Sequence, residues 1–114
     1  MIVRERRIPV DGAADVTALV NRPEGCRPGV TPGLILAHGQ NNDLRHPILE
    51  AVALGLAQAD VASVLRFNFP YREREASSPD SPRVLESSYR HAHDALADDE
   101  VCPAGPMFLG GKSL

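Results

Sequence analysis

Residues 34–37, Leu-Ile-Leu-Ala, form an apolar run with no polar residue interleaved. A strand with one wet face alternates apolar and polar side chains; an uninterrupted run is the pattern of a strand buried on both faces. Residues 62–69, a longer and mainly apolar run, and the shorter Met107-Phe108-Leu109 are also read as buried strands. Strands of this kind need helices over both faces of a parallel sheet, and the segments between them supply helices. Over 47–59, Ile48, Val52, Leu56 and Ala59 recur at helical spacing beside Leu49 and Ala53. Pro47 suits the first turn, where its missing N–H costs nothing. Val84, Leu85, Ser88, Tyr89, Ala92, Ala95 and Leu96 mark one face of a second amphipathic helix.

Two further strands precede these elements, an edge strand over 2–10 and a second over 16–20, with Asp11-Gly12 offering the turn between them. Residues 21–33 hold three prolines and three glycines and read as a loop, as do the polar residues 70–82. The order is two strands, then strand–helix–strand–helix–strand. It predicts an α/β fold, a mostly parallel sheet with helices on both faces, in a single domain over 1–114. The runs 34–38, 63–69 and 107–110 should lie parallel, and chemistry in such sheets gathers at the carboxyl ends of the strands. Three places qualify: His38-Gly39-Gln40-Asn41, Pro70-Tyr71-Arg72 and Gly110-Gly111-Lys112-Ser113-Leu114.

Charge narrows the partners. The net charge is −3, and the basic residues, all Arg except Lys112, are scattered. Neither a nucleic-acid surface nor an anionic-membrane surface is expected without a basic patch. The N-terminus lacks the apolar stretch of a signal peptide, and no apolar run reaches membrane-spanning length, so a cytoplasmic location is expected. Cys26 and Cys102 stand far apart in turn-like contexts and are read as two free thiols. Asp98-Asp99-Glu100 is read as a solvated helix end. His91 and His93 are two apart on a helix and do not share a face, so they are read as surface residues. His46 is read as a residue near a helix start. Neither a metal nor a cofactor is expected.

Gly111-Lys112-Ser113-Leu114 matches the opening of Gly-x-Ser-x-Gly, the nucleophile elbow. There a sharp strand-to-helix turn lifts a serine hydroxyl clear of the sheet, and the flanking glycines leave room for its strained backbone. The rival pattern is a phosphate loop, Gly-x-x-x-x-Gly-Lys-Ser. Its first glycine would fall at Pro106, which has no N–H to give a phosphate, and the loop would have to contain the strand rather than follow it.

With these pieces in place the chain resembles the α/β-hydrolases, and is similar in particular to the bacterial proteins grouped with dienelactone hydrolases. The residues that carry the likeness are 33–39 (Gly-Leu-Ile-Leu-Ala-His-Gly), His46-Pro47, 65–71 (Leu-Arg-Phe-Asn-Phe-Pro-Tyr) and 108–114 (Phe-Leu-Gly-Gly-Lys-Ser-Leu). The resemblance extends from Leu34 onward and loosely to the two strands before it. It implies acyl transfer by a Ser-His-Asp triad, with Ser113 at the nucleophile position and Gln40 and Leu114 as main-chain oxyanion donors. It also implies that the run 34–38 lies in the middle of the sheet, with His38-Gly39 beside Ser113. In such triads the acid and the histidine follow the serine, so none of His38, His46, His91 or His93 is carried over as catalytic.

The expectation is therefore a serine hydrolase of small-molecule esters or similar acyl compounds. It is present as an N-terminal portion ending at the elbow, incomplete and inactive alone. The alternative is a hydrolase-fold protein that binds without catalysing, and downstream triad members at the right strand ends would separate the two. Self-association of the fragment through an unpaired last strand is also expected.

Overall fold

The computed structural model describes residues 1–112. It contains β1 (Ile2–Val10), β2 (Ala13–Arg22), β3 (Gly33–Ala37), α1 (Pro47–Gln58), β4 (Ser63–Phe67), α2 (Pro70–Glu73), α3 (Pro82–Ala97) and β5 (Met107–Gly111). The five strands form one sheet in the order β1-β2-β4-β3-β5. β3 pairs in parallel with β4 on one side and with β5 on the other, as the apolar runs predict. β2 pairs antiparallel with both β1 and β4, so the sheet is mixed, with a parallel core of three strands. The β1–β2 hairpin turns at Asp11-Gly12, where Gly12 takes a φ of 78°, a region that glycine enters without strain. Pairing with β1 along its whole length extends β2 to both sides of the predicted 16–20.

Alternate residues of the central strands face opposite layers. Ile35, Ala37, Leu65 and Phe67 pack with Ala92 and Leu96 of α3 and with the inner face of the hairpin. Leu36 and Val64 pack with Leu49 and Ala53 of α1. α3 buries the face read from its sequence: Ser88, Ala92 and Leu96 are buried, and its other marked residues are partly so. Ser81 caps the helix by accepting the Val84 N–H, and Pro82 occupies its first turn. α1 is rotated from expectation. Leu49, Ala53 and Ala57 are buried, while Ile48 and Val52 are exposed. The two rows lie about 100° apart around a helix, and only one of them can meet the sheet. His46 caps α1, its Nδ1 accepting the Ile48 N–H at 3.1 Å.

Three readings are corrected. Asp99 is no solvated helix end: its carboxylate is buried, accepts the N–H groups of Val101 and Cys102, and pairs with Arg6 at 3.0 Å and Arg22 at 3.5 Å. Cys26 and Cys102 are not free thiols but a disulfide, their Cα atoms 6.5 Å apart across 76 residues of sequence. The bridge joins the loop after β2 to the loop after α3. Those loops also share hydrogen bonds from Gly29 to Pro103 and from Gly105 to Thr31. They touch closely enough that a Cβ at Gly105 would sit 2.6 Å from the Val30 carbonyl oxygen. Finally, the predicted loop 70–82 contains the short helix α2. β5 departs from its reading too: expected to be buried on both faces, it exposes Phe108 and Leu109, because among the described residues it is an edge strand with a neighbour on one side alone.

Candidate active site

The carboxyl ends of β3, β4 and β5 come together. Ala37 is in register with Phe67 on one side and Gly111 on the other. One step further, the Lys112 N–H donates to the Ala37 carbonyl at 3.2 Å. The residue before Ser113 is thus bonded to the residue before His38. Ser113 and Leu114, read as nucleophile and second oxyanion donor, lie outside the described residues.

The loop after β3 is pinned nearly residue by residue. His38 is 1% exposed. Its Nδ1–H donates to the Gly39 carbonyl at 2.8 Å, and its Nε2 accepts the Phe69 N–H at 3.0 Å. The Phe69 N–H can only donate, so Nε2 holds a lone pair and the ring is neutral. Burial pushes the His38 pKa below its usual range, against the Gly39 carbonyl, which favours the cation. Asn41 takes a φ of 62°, and its N–H reaches the Tyr71 hydroxyl at 3.4 Å. The Asn42 N–H returns to the Gly39 carbonyl, and the Asn42 carbonyl accepts from Arg72 Nε at 3.0 Å. Leu44 is held from both sides: its N–H by Asn68 Oδ1 at 2.9 Å, its carbonyl by Arg66 Nη1 at 3.1 Å.

Gln40 differs. It is exposed, and among the described residues no acceptor takes its main-chain N–H. The Gly39 and Asp43 N–H groups also meet no acceptor among the described residues, but Gly39 is buried, and Gln40 is the exposed donor that this braced loop can offer to an anionic oxygen at the head of β3.

The elements around this loop are braced in turn. Glu73 of α2 accepts the N–H and hydroxyl of Thr17 at 2.8 Å each, Asn68 Nδ2 at 3.1 Å and Arg7 Nη1 at 3.1 Å. Burial acts to raise its pKa, and these bonds outweigh burial and hold it below the usual glutamate range. Asp80 accepts the Tyr71 N–H at 2.8 Å. Beneath the loop, Arg66 is buried and pairs with no carboxylate among the described residues; its other bond goes to Asn21 Oδ1 at 3.2 Å. A cavity of about 270 Å³ opens beside Gln40, between His38 and α3. A larger hollow of about 440 Å³, between the β1–β2 turn and the start of α3, includes none of these residues.

The sequence marked Tyr71 and Arg72 as a place to look and quoted Arg66 and Asn68 within the run 65–71, but gave none of them a role, and it did not mark Glu73. The signal available was two polar side chains, Arg66 and Asn68, within or just after a buried strand. His91 pairs with Asp11 and His93 with Asp94, so neither reaches the site. Among the described residues no group of three His, Cys, Asp or Glu could hold a metal ion, and no helix is long and apolar enough to cross a membrane.

A family model described as an alpha/beta hydrolase domain matches residues 31–114. Among solved structures, a serine hydrolase without a lid from Xanthomonas campestris superposes with a TM-score of 0.74 at 17% identity, over 96% of this chain and 50% of that one. Brefeldin A esterase, a bacterial homologue of human hormone-sensitive lipase, gives 0.73 at 21% identity, over 96% and 31%. Dienelactone hydrolase from Anabaena variabilis gives 0.71 at 20% identity, over 96% and 51%. At such identities the likeness is one of fold, and the chain spans between about a third and a half of each relative's length. No curated protein matches the sequence.

Proposed function

We propose that this chain, which belongs to the α/β-hydrolase domain family, carries the nucleophile and the oxyanion donors of a serine hydrolase acting on esters or similar acyl compounds. The observation that supports this most is the unclaimed Gln40 N–H, on a loop fixed at His38, Asn41, Asn42 and Leu44. It stands beside the strand that leads into Ser113. In this reading Ser113 attacks the carbonyl carbon, and the negative charge gathering on its oxygen is met by the main-chain N–H groups of Gln40 and Leu114.

A serine hydroxyl needs a histidine to take its proton and an acid to orient that histidine. His38 cannot serve, because both of its ring nitrogens are engaged. Residues 1–114 contain no acid or histidine after Ser113, and no turnover is expected from these residues by themselves. The test is a hybrid in which residues 1–114 are joined to the C-terminal half of a structural relative and assayed on activated esters. Ser113→Ala should lower its turnover by on the order of 10⁴- to 10⁶-fold. Equal activity with alanine would remove Ser113 from the mechanism, and a folded hybrid inert on all esters would favour a binding role.

A further inference from the structure

The cavity beside Gln40 has walls of one chemical kind. Phe69, Tyr71, Tyr89, Leu85 and Pro79 line it together with the neutral ring of His38. The rings support one another: Phe69 meets His38 edge-on at 5.0 Å and Tyr89 at 5.8 Å, and Phe67 stands behind Phe69 at 5.1 Å and Tyr89 at 5.5 Å. Because each ring is packed against the next, the walls are held in one arrangement, which is the condition for a selective pocket.

Among the described residues no charged side chain lines the cavity. The charges that act on His38 are those of Asp43, Arg72 and Asp80, and each is committed elsewhere, Asp43 by accepting the Arg45 N–H. Arg72 spends its guanidinium on the carbonyls of Asn42 and Ala76, and Asp80 spends its carboxylate on the Tyr71 N–H and on Arg74. A carboxylate entering here would leave water and meet no cation, whereas an apolar ring would meet rings. At the ~30 Å³ that one water occupies in the liquid, about 270 Å³ holds roughly nine non-hydrogen atoms, the size of a substituted benzene ring.

We infer that this cavity binds a small, uncharged aryl or similarly planar group and excludes its carboxylate-bearing counterpart. As a statement about substrate, this rests on the hydrolase reading above: the group would hang from the scissile carbonyl whose oxygen faces Gln40. As a statement about binding, it stands alone.

The experiment uses the chain itself, with para-fluorobenzyl alcohol and para-fluorobenzoate as probes in fluorine-observed and protein-observed NMR. The alcohol should bind, with intermolecular NOEs to the Leu85 methyls and the Tyr89 ring, and the benzoate should bind roughly tenfold more weakly or not at all. Leu85→Trp, at a half-buried position with room for a larger side chain, should abolish alcohol binding. Equal binding of the two probes, absence of those NOEs, or alcohol binding that survives Leu85→Trp in a folded variant would overturn the inference. Failure here remains distinct from failure of the hydrolase reading. Probe binding with no ester turnover in the hybrid keeps the cavity and loses the enzyme. Turnover that favours carboxylate-bearing esters keeps the enzyme and loses the cavity's selectivity.

Discussion

His38 Nε2 accepts the main-chain N–H of Phe69 at 3.0 Å, tying the end of β3 to the residue that opens α2. Its Nδ1–H at the same time holds the Gly39 carbonyl. The ring is therefore a brace between two strand ends, and Gln40 is presented from the segment it holds.

That brace sets a pH dependence. Burial holds the folded-state pKa of His38 below the ordinary 6.5, so between the two values the unfolded chain binds the proton and the folded one does not. Stability then rises with pH across that window and is complete above about 6.5. For one proton the slope is at most about 1.4 kcal/mol per pH unit. Chemical denaturation of wild type and His38→Gln at several pH values should show a slope below 6.5 that the variant lacks. An identical slope in both would mean that His38 is not the group responsible.

At Gln40 the account concerns main chain and not side chain. Gln40→Ala keeps the N–H and should leave turnover of the hybrid nearly unchanged. Gln40→Pro removes the N–H and should lower kcat by about 10²- to 10³-fold, as loss of an oxyanion donor does. Equal losses in the two variants would point to the side chain and against the proposed role.

Glu73 and Asp99 should dominate acid sensitivity. Both are held below their usual values, so each adds stability that is full above its unfolded pKa, near 4.5 and 3.8, and is lost as pH falls through the folded value. Glu73→Ala should cost on the order of 2 kcal/mol at neutral pH, since it strands the part-buried donors of Thr17 and Asn68. Its stability should then fall less steeply on acidification than that of the wild type.

The Cys26–Cys102 bridge closes a loop of 76 residues' separation. Reduction, or Cys102→Ala, should cost about 2–4 kcal/mol in denaturant unfolding. Agreement between the reduced and oxidised midpoints would show that the bridge contributes nothing to stability.

The parallel core was legible because double burial leaves an unmistakable mark: Ile35, Leu36, Val64 and Leu65 admit no polar alternation. The face of α3 was legible because its apolar stripe is narrow. α1 was less so, since Ile48 and Val52 compete with Leu49 and Ala53 and only the sheet decides between the rows. Arg66 is buried because Leu44 and Asn21, 22 and 45 residues away in sequence, receive its guanidinium, a pairing that no local pattern contains. The same holds for Glu73 with Thr17 and for Cys26 with Cys102. At the site, the sequence pointed to His38-Gly39-Gln40 as a turn of interest. The bonds that fix that turn and leave the exposed Gln40 N–H without an acceptor among the described residues involve Phe69, Tyr71, Arg72 and Asn68, at and after the end of β4.

If Ser113 is the nucleophile, a covalent serine reagent should find it. The hybrid would be treated with a serine-reactive phosphonate, digested, and the modified residue located by mass spectrometry. The account predicts one phosphonyl group, on Ser113, absent from Ser113→Ala and slowed by Gln40→Pro, because the adduct's oxygen needs the same donor. Labelling at another serine, or none at all in a folded hybrid, would contradict it.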